Sequence, residues 1–140
     1  MGAVERLVAV FPSGEQEGIR RQLSLVLRSV VAQHLLVGVE SMRPAADLPC
    51  VVASEILMVT PAIANLIATG KSAQIYSAME TGGSAGMQTL EQDLARLWTS
   101  GRIEETAAMA LSRNPAVMKD RAALQRLPAV ADGRAGRGGR

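Results

Sequence analysis

The spacing of apolar residues divides the chain into helical and extended segments. After Pro12, Ser13 and Gln16 stand three positions apart, a capping-box pattern that predicts a helix beginning at Glu15. Apolar residues then recur at helical spacing, which places the end of the helix near Leu36. These apolar residues are Ile19, Leu23, Val26, Leu27, Val30 and Val31. The pattern therefore predicts one long helix.

Two short apolar runs, Leu35–Glu40 and Cys50–Val59, are typical of β-strands. The segment Arg43–Pro49 between them contains two prolines and an aspartate, which predicts a loop and hence a β-hairpin. Because an isolated two-stranded hairpin is only marginally stable, we expect this one to extend a larger sheet. Cys50 is the single cysteine, and its place in the apolar run favours a buried strand thiol over a reactive one.

Short helices separated by glycine and proline are predicted after the hairpin. Their start signals are Thr60-Pro61, Ser72, Thr89 with Gln92, Ile103 and Asn114-Pro115. The expected class is an α/β fragment that is mostly helical, with a long helix, a β-hairpin and four to five short helices. We expect residues 1–127 to form the folded part, and residues 128–140, rich in Gly and Arg, to form a disordered tail.

Composition narrows the possible functions. The tail holds Arg134, Arg137 and Arg140 against Asp132, which is 3 − 1 = +2 and equals the net charge of the whole chain. The body is therefore neutral and has few aromatic residues, so we expect no nucleic-acid partner. One cysteine and one histidine, His34, exclude a disulfide within the chain, a multi-cysteine zinc site and a pair of catalytic histidines. No apolar run approaches the roughly 20 residues that span a membrane.

The glycines Gly82, Gly83 and Gly86 invite comparison with a phosphate-binding loop. Such a loop requires Gly-x4-Gly-Lys-Ser/Thr after a buried strand. No lysine follows the cluster, and the Gly70-Lys71-Ser72 triplet has Asn65 where the first glycine should stand. A turn between two helices is the favoured interpretation.

Glu55 lies inside the second apolar run and has two interpretations. Strand alternation turns it towards solvent, whereas burial requires a paired cation, such as an arginine of the long helix. Arg20 and Arg28 of that helix either form a solvated face or reach across a subunit boundary. We therefore class Glu55, Arg20 and Arg28 as candidate structural or inter-subunit polar residues.

Several sequence blocks, in this order, resemble the C-terminal portion of the twitching-motility ATPases, the hexameric motors that retract type IV pili. The blocks are Val10-Phe11-Pro12, Glu15-Gln16, Gln22-Leu23-Ser24, Glu55-Ile56-Leu57, Thr60-Pro61-Ala62-Ile63 and Gly86-Met87-Gln88-Thr89-Leu90, within roughly residues 4–111. The resemblance implies the C-terminal part of a RecA-like P-loop ATPase domain, whose ATP- and magnesium-handling motifs lie upstream of these blocks. We therefore expect no catalytic, cofactor-binding or metal-binding residue in this chain, and no ATP hydrolysis by the chain alone.

The family's retraction motif, Ala-Ile-Arg-Asn-Leu-Ile, corresponds here to Ala62, Ile63, Ala64, Asn65, Leu66 and Ile67. Ala64 replaces the motif arginine, which removes a guanidinium that could bridge subunits. Ser54 stands where the family commonly has histidine. The apolar residues of the motif helix are retained, so its packing role is expected to persist.

The resemblance also implies partners. They are full-length ATPase subunits or further copies in a hexameric ring, and an inner-membrane pilus platform protein, at a cytoplasmic site on the periphery of the inner membrane. The alternative is a stand-alone, non-catalytic helical interaction module that docks on a pilus or secretion ATPase.

Overall fold

A computed structural model describes residues 2–39 and 50–126. These ranges contain seven α-helices, two β-strands and one 3-10 turn. In chain order they are α1 (Ala3–Ala9), α2 (Gln16–Val26), β1 (Ser29–Val37), β2 (Cys50–Met58), α3 (Pro61–Ala68), α4 (Ser72–Thr81), the 3-10 turn (Gly82–Ala85), α5 (Leu90–Thr99), α6 (Glu105–Leu111) and α7 (Pro115–Arg126). The predicted class, helices around a β-hairpin, is confirmed.

The two strands form an antiparallel hairpin in which Ser29 lies opposite Met58 and Val37 opposite Cys50. Along β2, Val51, Ala53 and Leu57 are buried against the helices. Cys50, Val52 and Met58 alternate with these residues and are exposed on the outer face, as the two-residue period of a strand requires. In the part of the chain that the structure describes, the sheet has two strands. On the other side of β2, Ile56 also forms an isolated antiparallel bridge with Gln88.

Helix α2, which corresponds to the predicted long helix, is shorter than the apolar spacing predicted. It ends at Val26 because Leu27 takes an extended conformation (φ −69°, ψ 131°), and Ser29–Val37 is strand β1. The prediction of helix through Leu36 was wrong. Val30 and Val31 fit both the helical period and the two-residue period of a strand. The strand forms because β1 pairs with β2 along its whole length. β-Branched residues also pack well on a pleated surface.

The predicted cap of this helix was also wrong. Glu15 occupies the N-cap position and makes no side-chain cap, whereas the Gln16 side chain donates to the Phe11 carbonyl at 3.0 Å. The preceding helix α1 was not predicted, although its apolar residues Val4 and Val8 are both buried.

Most start signals of the later helices are confirmed. Thr60 Oγ1 accepts from the Ile63 amide at 3.4 Å, Asn114 Oδ1 accepts from the Val117 amide at 3.3 Å, and Thr89 forms a capping box with Gln92. Ser72 and Ile103 are the exceptions. Ser72 is the first residue of α4, where Lys71 holds the N-cap position, and α6 begins at Glu105, two residues after Ile103. The predicted loop Arg43–Pro49 and tail 128–140 lie outside the described residues.

The core consists of two apolar clusters. The cluster around α3, called the motif cluster, contains Val4, Leu57, Ile63, Ile67, Ile75, Met79 and Met87. The cluster around α5, called the C-terminal cluster, contains Val51, Ala53, Leu90, Leu94, Ala95, Leu97, Ile103, Ala108, Met118 and Ala122. Strand β2 contributes to both clusters and therefore connects them.

Two further expectations can be compared with the structure. Cys50 is exposed, so the prediction of a buried thiol was wrong. It begins β2 on the outer face, opposite the exposed Val37, because alternation from the buried Val51 turns it outward. No helix in the described ranges has the length and apolar character needed to cross a membrane.

Candidate functional site

The retraction-motif helix α3 has one buried and one exposed face. Ile63 and Ile67, one helical turn apart, are 1% and 0% exposed in the motif cluster. Leu66 and Ala64 are half-buried. The exposed face presents Ala62 and Asn65. The motif thus keeps its packing residues, while the position of its missing arginine borders the surface.

Both ends of α3 are fixed by hydrogen bonds. At the start, the Thr60 hydroxyl caps the helix and the preceding Val59 amide donates to the Arg28 carbonyl at 2.9 Å. At the end, the Lys71 amide donates to the Leu66 carbonyl at 2.9 Å, and Gly70 takes the left-handed conformation (φ +69°) that glycine adopts without strain. Helix α3 is therefore a direct, capped continuation of β2.

A carboxylate latch beside α3 joins α1, α2 and α4. The Arg20 guanidinium donates to the two Glu5 oxygens at 2.8 and 2.9 Å, and the Ser72 hydroxyl donates to the same carboxylate. The hydrogen bonds from Arg20, and then the one from Ser72, lower the pKa of Glu5 to about 2. Arg20 therefore points into its own chain. Arg28, the other arginine candidate, is exposed.

Glu55 lies on the inner face of β2 with its side chain 16% exposed. Its two oxygens accept from the Arg113 guanidinium at 3.4 and 2.9 Å. The interpretation that Glu55 turns to solvent was therefore wrong. Glu55 is half-buried and paired, and its cation comes from the α6–α7 connection rather than from the predicted long helix.

Sequence reasoning missed a fully buried carboxylate, Glu91, in the first turn of α5. It accepts hydrogen bonds from the Tyr76 hydroxyl at 2.7 Å and from the Arg113 and Asn114 amides at 3.0 and 3.3 Å. Burial is the main cause that raises the pKa of Tyr76, and the hydrogen bond to Glu91 is the second. The Tyr76 hydroxyl therefore stays protonated and donates to Glu91. Arg113 binds Glu91 through its backbone and Glu55 through its side chain, so it links α5 to β2, and Glu91 adds α4 through Tyr76.

A second buried carboxylate, Asp93, attaches α5 to β2. Asp93 Oδ2 accepts from the Ser54 amide at 2.8 Å and from its hydroxyl at 3.3 Å, and Oδ1 accepts from Arg96 at 2.6 and 2.8 Å. The Gln88 backbone exchanges hydrogen bonds with Ile56 at 2.8 and 2.9 Å. The Gln88 side-chain amide also donates to the Ser54 carbonyl at 3.0 Å. These contacts occupy the edge of β2 that faces away from β1.

The glycine-rich block acts as a packing turn, as its sequence favoured. A Cβ on Gly82 would lie 2.5 Å from Met87 Sδ, so glycine makes room for that side chain. Gly86 has φ +80°, which reverses the chain after the 3-10 turn. Met87 then enters the motif cluster and Leu90 enters the C-terminal cluster. The block therefore holds the two clusters together.

A cleft of about 650 Å³ lies between α1, β1 and α4, with Glu55, Tyr76 and Arg113 in its lining. Within the described residues, no group of three or more His, Cys, Asp or Glu side chains is placed to hold a metal ion.

No protein-family model matches the chain. It is 42% identical over 112 residues to the type IV pilus retraction ATPase PilT of Pseudomonas aeruginosa, covering 80% of this chain and 30% of that protein. It is 40% identical over 111 residues to the twitching motility protein of Neisseria gonorrhoeae, covering 79% and 28%. The type IV pilus ATPase PilU of Pseudomonas aeruginosa is 32% identical over 108 residues. The chain thus spans about three tenths of the curated relatives it matches.

Solved structures agree with this similarity. The crystal structure of the pilus retraction motor PilT with bound ADP matches 80% of this chain and 29% of that chain, with a TM-score of 0.66 and 34% identity. The ATPase DotB of Legionella pneumophila matches 77% of this chain at a TM-score of 0.57 and 19% identity, a likeness of fold alone. The resemblance seen in the sequence blocks is confirmed. By sequence and by fold the chain is therefore PilT-like, and over about 80% of its length it resembles a C-terminal portion of the type IV pilus retraction ATPases.

Proposed function

We propose that this chain performs the subunit-packing and motion-transmitting role of the C-terminal portion of a pilus retraction ATPase, and that ATP binding and hydrolysis depend on residues outside these 140. The supporting observation is the continuity from β2 through the Thr60 cap into α3. A displacement of β2 moves α3 as a unit, because both ends of the helix are held by hydrogen bonds to neighbouring backbone and side chains.

The two faces of α3 have different roles in this proposal. Its buried face, Ile63 and Ile67, keeps the helix on the motif cluster. Its exposed face, Ala62 and Asn65, is free to contact another subunit. An arginine at position 64 would carry a cation beyond the helix surface, whereas Ala64 ends at its methyl group. We infer that this chain preserves the packing function of the motif and has lost a charged contact.

The proposed partners are full-length ATPase subunits or further copies in a hexameric ring, which docks on an inner-membrane platform protein on the cytoplasmic side. In that ring ATP and magnesium would be bound by residues of the longer subunits. The alternative function is a non-catalytic module that docks on a pilus or secretion ATPase. It is favoured by the capped helices and two filled clusters, which a chain folding by itself requires.

The decisive experiment measures ATP hydrolysis and ring binding separately. We expect the purified 140-residue chain to show no hydrolysis above background, and to co-purify with a full-length PilT-like ATPase. Hydrolysis that follows the chain through purification would overturn the non-catalytic role. Failure to bind the full-length ATPase would overturn docking as a separate module.

The missing arginine can be tested in the same system. Ala64→Arg, placed in a full-length retraction ATPase that carries this C-terminal portion, is expected to change the retraction rate. Ala62→Arg is the matched control, because it adds the same cation to the same helix at an exposed position outside the motif's arginine site. Equal effects of the two substitutions would show that charge on α3, rather than the motif position, governs retraction.

A further inference from the structure

A pocket of about 360 Å³, called the α5–α7 pocket, lies between those two helices. Its lining residues all fall between Met87 and Gln125, a stretch that the structure describes without a gap. The N-terminal helices and the hairpin contribute none of them. Pockets that take small organic ligands have volumes of about 300–1,000 Å³. The pocket is therefore large enough for a small molecule, and its chemistry indicates which kind.

The charged side chains of the pocket are cationic. Among the described residues that line it, two are arginines and none is acidic: Arg96 comes from α5 and Arg121 from α7. Asp93, outside the lining, binds Arg96 through Nε and Nη2 at 2.8 and 2.6 Å, which leaves Nη1 for another acceptor. Glu80 lies 3.7 Å from Arg121 Nη2, which is longer than a hydrogen bond. Both guanidinium groups therefore keep the capacity to donate to an anion.

Arg121 is the less satisfied of the two arginines. Its side chain is 32% exposed, yet its Nε is enclosed and has no hydrogen-bond partner among the described residues. An unpaired buried donor is rare in folded proteins and unfavourable, so it calls for an explanation such as a bound ion. An oxyanion in the pocket would draw the guanidinium towards itself and replace the long contact with Glu80 by direct hydrogen bonds.

Three glutamines form the neutral polar part of the lining. The side-chain amides of Gln88 and Gln92 donate to backbone carbonyls at 3.0 and 3.3 Å, which fixes these two walls. Gln125 Oε1 accepts from the Thr99 hydroxyl at 3.0 Å, so the amide nitrogen of Gln125 remains a donor. The pocket thus combines two guanidinium groups with a further amide donor, on walls that are already held in place.

Beyond the proposed function, we propose that the α5–α7 pocket binds the phosphate group of a small organic phosphate. Donors come from two different helices, which suits the tetrahedral oxygens of a phosphate. A planar carboxylate would be satisfied by a single guanidinium fork. Met87 and Leu124 supply apolar lining, so an apolar group attached to the phosphate can pack beside it. The ligand would neutralise the two arginines together.

The main test is an NMR titration of the 140-residue chain with phenyl phosphate, inorganic phosphate and benzoate at constant ionic strength. We expect phenyl phosphate to shift the Nε–H signals of Arg96 and Arg121 in a saturable way, with a Kd of about 1 mM. Inorganic phosphate should bind about threefold more weakly, because it lacks the apolar ring. Benzoate, which carries the same ring on a planar carboxylate, should bind about tenfold more weakly than phenyl phosphate.

Arg121→Met removes the guanidinium and keeps an unbranched apolar stem. We expect at least about a tenfold loss of phenyl phosphate affinity. Without ligand, the urea midpoint of this variant should equal or exceed that of the wild type, because the unpaired buried Nε is gone. The matched control is Lys119→Met, which removes a cation from the same helix, paired with Glu105 at 3.6 Å outside the pocket. It should bind like the wild type.

Gln125→Glu keeps the proposal testable if Arg121→Met does not fold. The new side chain retains an acceptor oxygen for the Thr99 hydroxyl, so the contact between α5 and α7 is preserved. It also replaces the amide donor by a negative charge at the wall of the pocket. We expect this variant to show no saturable shift of the Arg121 signal with phenyl phosphate.

Four results would overturn the proposal. They are shifts that do not saturate, benzoate binding as tightly as phenyl phosphate, equal losses of affinity in Arg121→Met and Lys119→Met, and an Arg121→Met variant that loses stability while it keeps its affinity. Binding to vesicles that contain phosphatidic acid, without binding to phenyl phosphate, would also overturn it in favour of a membrane surface. The test uses this chain alone, so its outcome is independent of whether the chain binds an ATPase ring.

Discussion

The two apolar clusters differ in the polar contacts that stabilise them. Around α5, the carboxylates of Glu91 and Asp93 are 0% and 1% exposed, and backbone amides are among the donors to each. Around α3, the main polar contact is the Glu5–Arg20 latch, whose side chains are 21% and 17% exposed. One cluster is held by polar groups inside the protein, and the other by an ion pair at its surface.

This difference indicates which half of the molecule can change its packing at the lower free-energy cost. A buried carboxylate with fixed backbone donors has one good geometry, and leaving those donors unpaired is costly. A partly exposed ion pair can open into water at a much smaller free-energy penalty. The motif helix α3 rests on the half with the surface latch, so in the proposed motion the C-terminal cluster would be the platform against which α3 moves.

The strongest test of the contrast is removal of the Glu91 carboxylate. Glu91→Ala should lower the free energy of unfolding by about 3 kcal/mol, because it leaves the Tyr76 hydroxyl and two backbone amides without an acceptor in the interior. Urea unfolding followed by circular dichroism measures the loss. Glu91→Gln, which fills the same space and keeps one acceptor oxygen, should lose clearly less, and equal losses would show that the negative charge and the second oxygen are both required.

The parts of this structure that sequence predicted are those specified locally. Thr60-Pro61 and Thr89 with Gln92 begin helices because the cap and its target amide lie within one turn of each other. The glycine turn was interpreted correctly for the same reason, since a positive φ at Gly86 needs only glycine itself.

The failures share a different cause. Whether Val30 and Val31 belong to a helix or a strand was decided by β2, which lies beyond the next loop. Glu55 and Arg113 are separated by 58 residues, and no spacing rule connects them. Glu91 reads in sequence as an ordinary acidic residue in the first turn of a helix, where it complements the helix dipole, and only the fold shows that it is buried.

A second test addresses the turn that joins the clusters. Gly82→Ala should lower the free energy of unfolding by about 2 kcal/mol, because the new methyl group meets Met87 Sδ and Cγ at 2.5 and 3.0 Å in a filled cluster. Gly83→Ala is the matched control, since a Cβ there meets nothing within 4 Å. Thermal unfolding of the pair measures the difference. A loss that is the same at both positions would point to backbone flexibility rather than to packing against Met87.

The smallest effect concerns the surface latch and its pH dependence. The pKa of Glu5 is about 2 in the folded chain, below its ordinary value of 4.5, so the carboxylate stabilises the fold above pH 4.5 and this contribution is lost as pH falls towards 2. Glu5→Gln should therefore reduce stability at neutral pH by about 1 kcal/mol, and the difference from the wild type should vanish near the folded pKa.

Urea titrations between neutral pH and pH 2 measure this difference directly. The matched control is Glu17→Gln, which removes a carboxylate from the exposed Glu17–Arg21 pair on α2, with side chains 76% and 71% exposed. It should change stability little at any pH, because solvent screens that pair. If Glu5→Gln instead lowered the free energy of unfolding as much as Glu91→Ala does, and did so at every pH, the latch would be as rigid as the buried carboxylates. The proposed division into a fixed platform and an adjustable motif half would then be wrong.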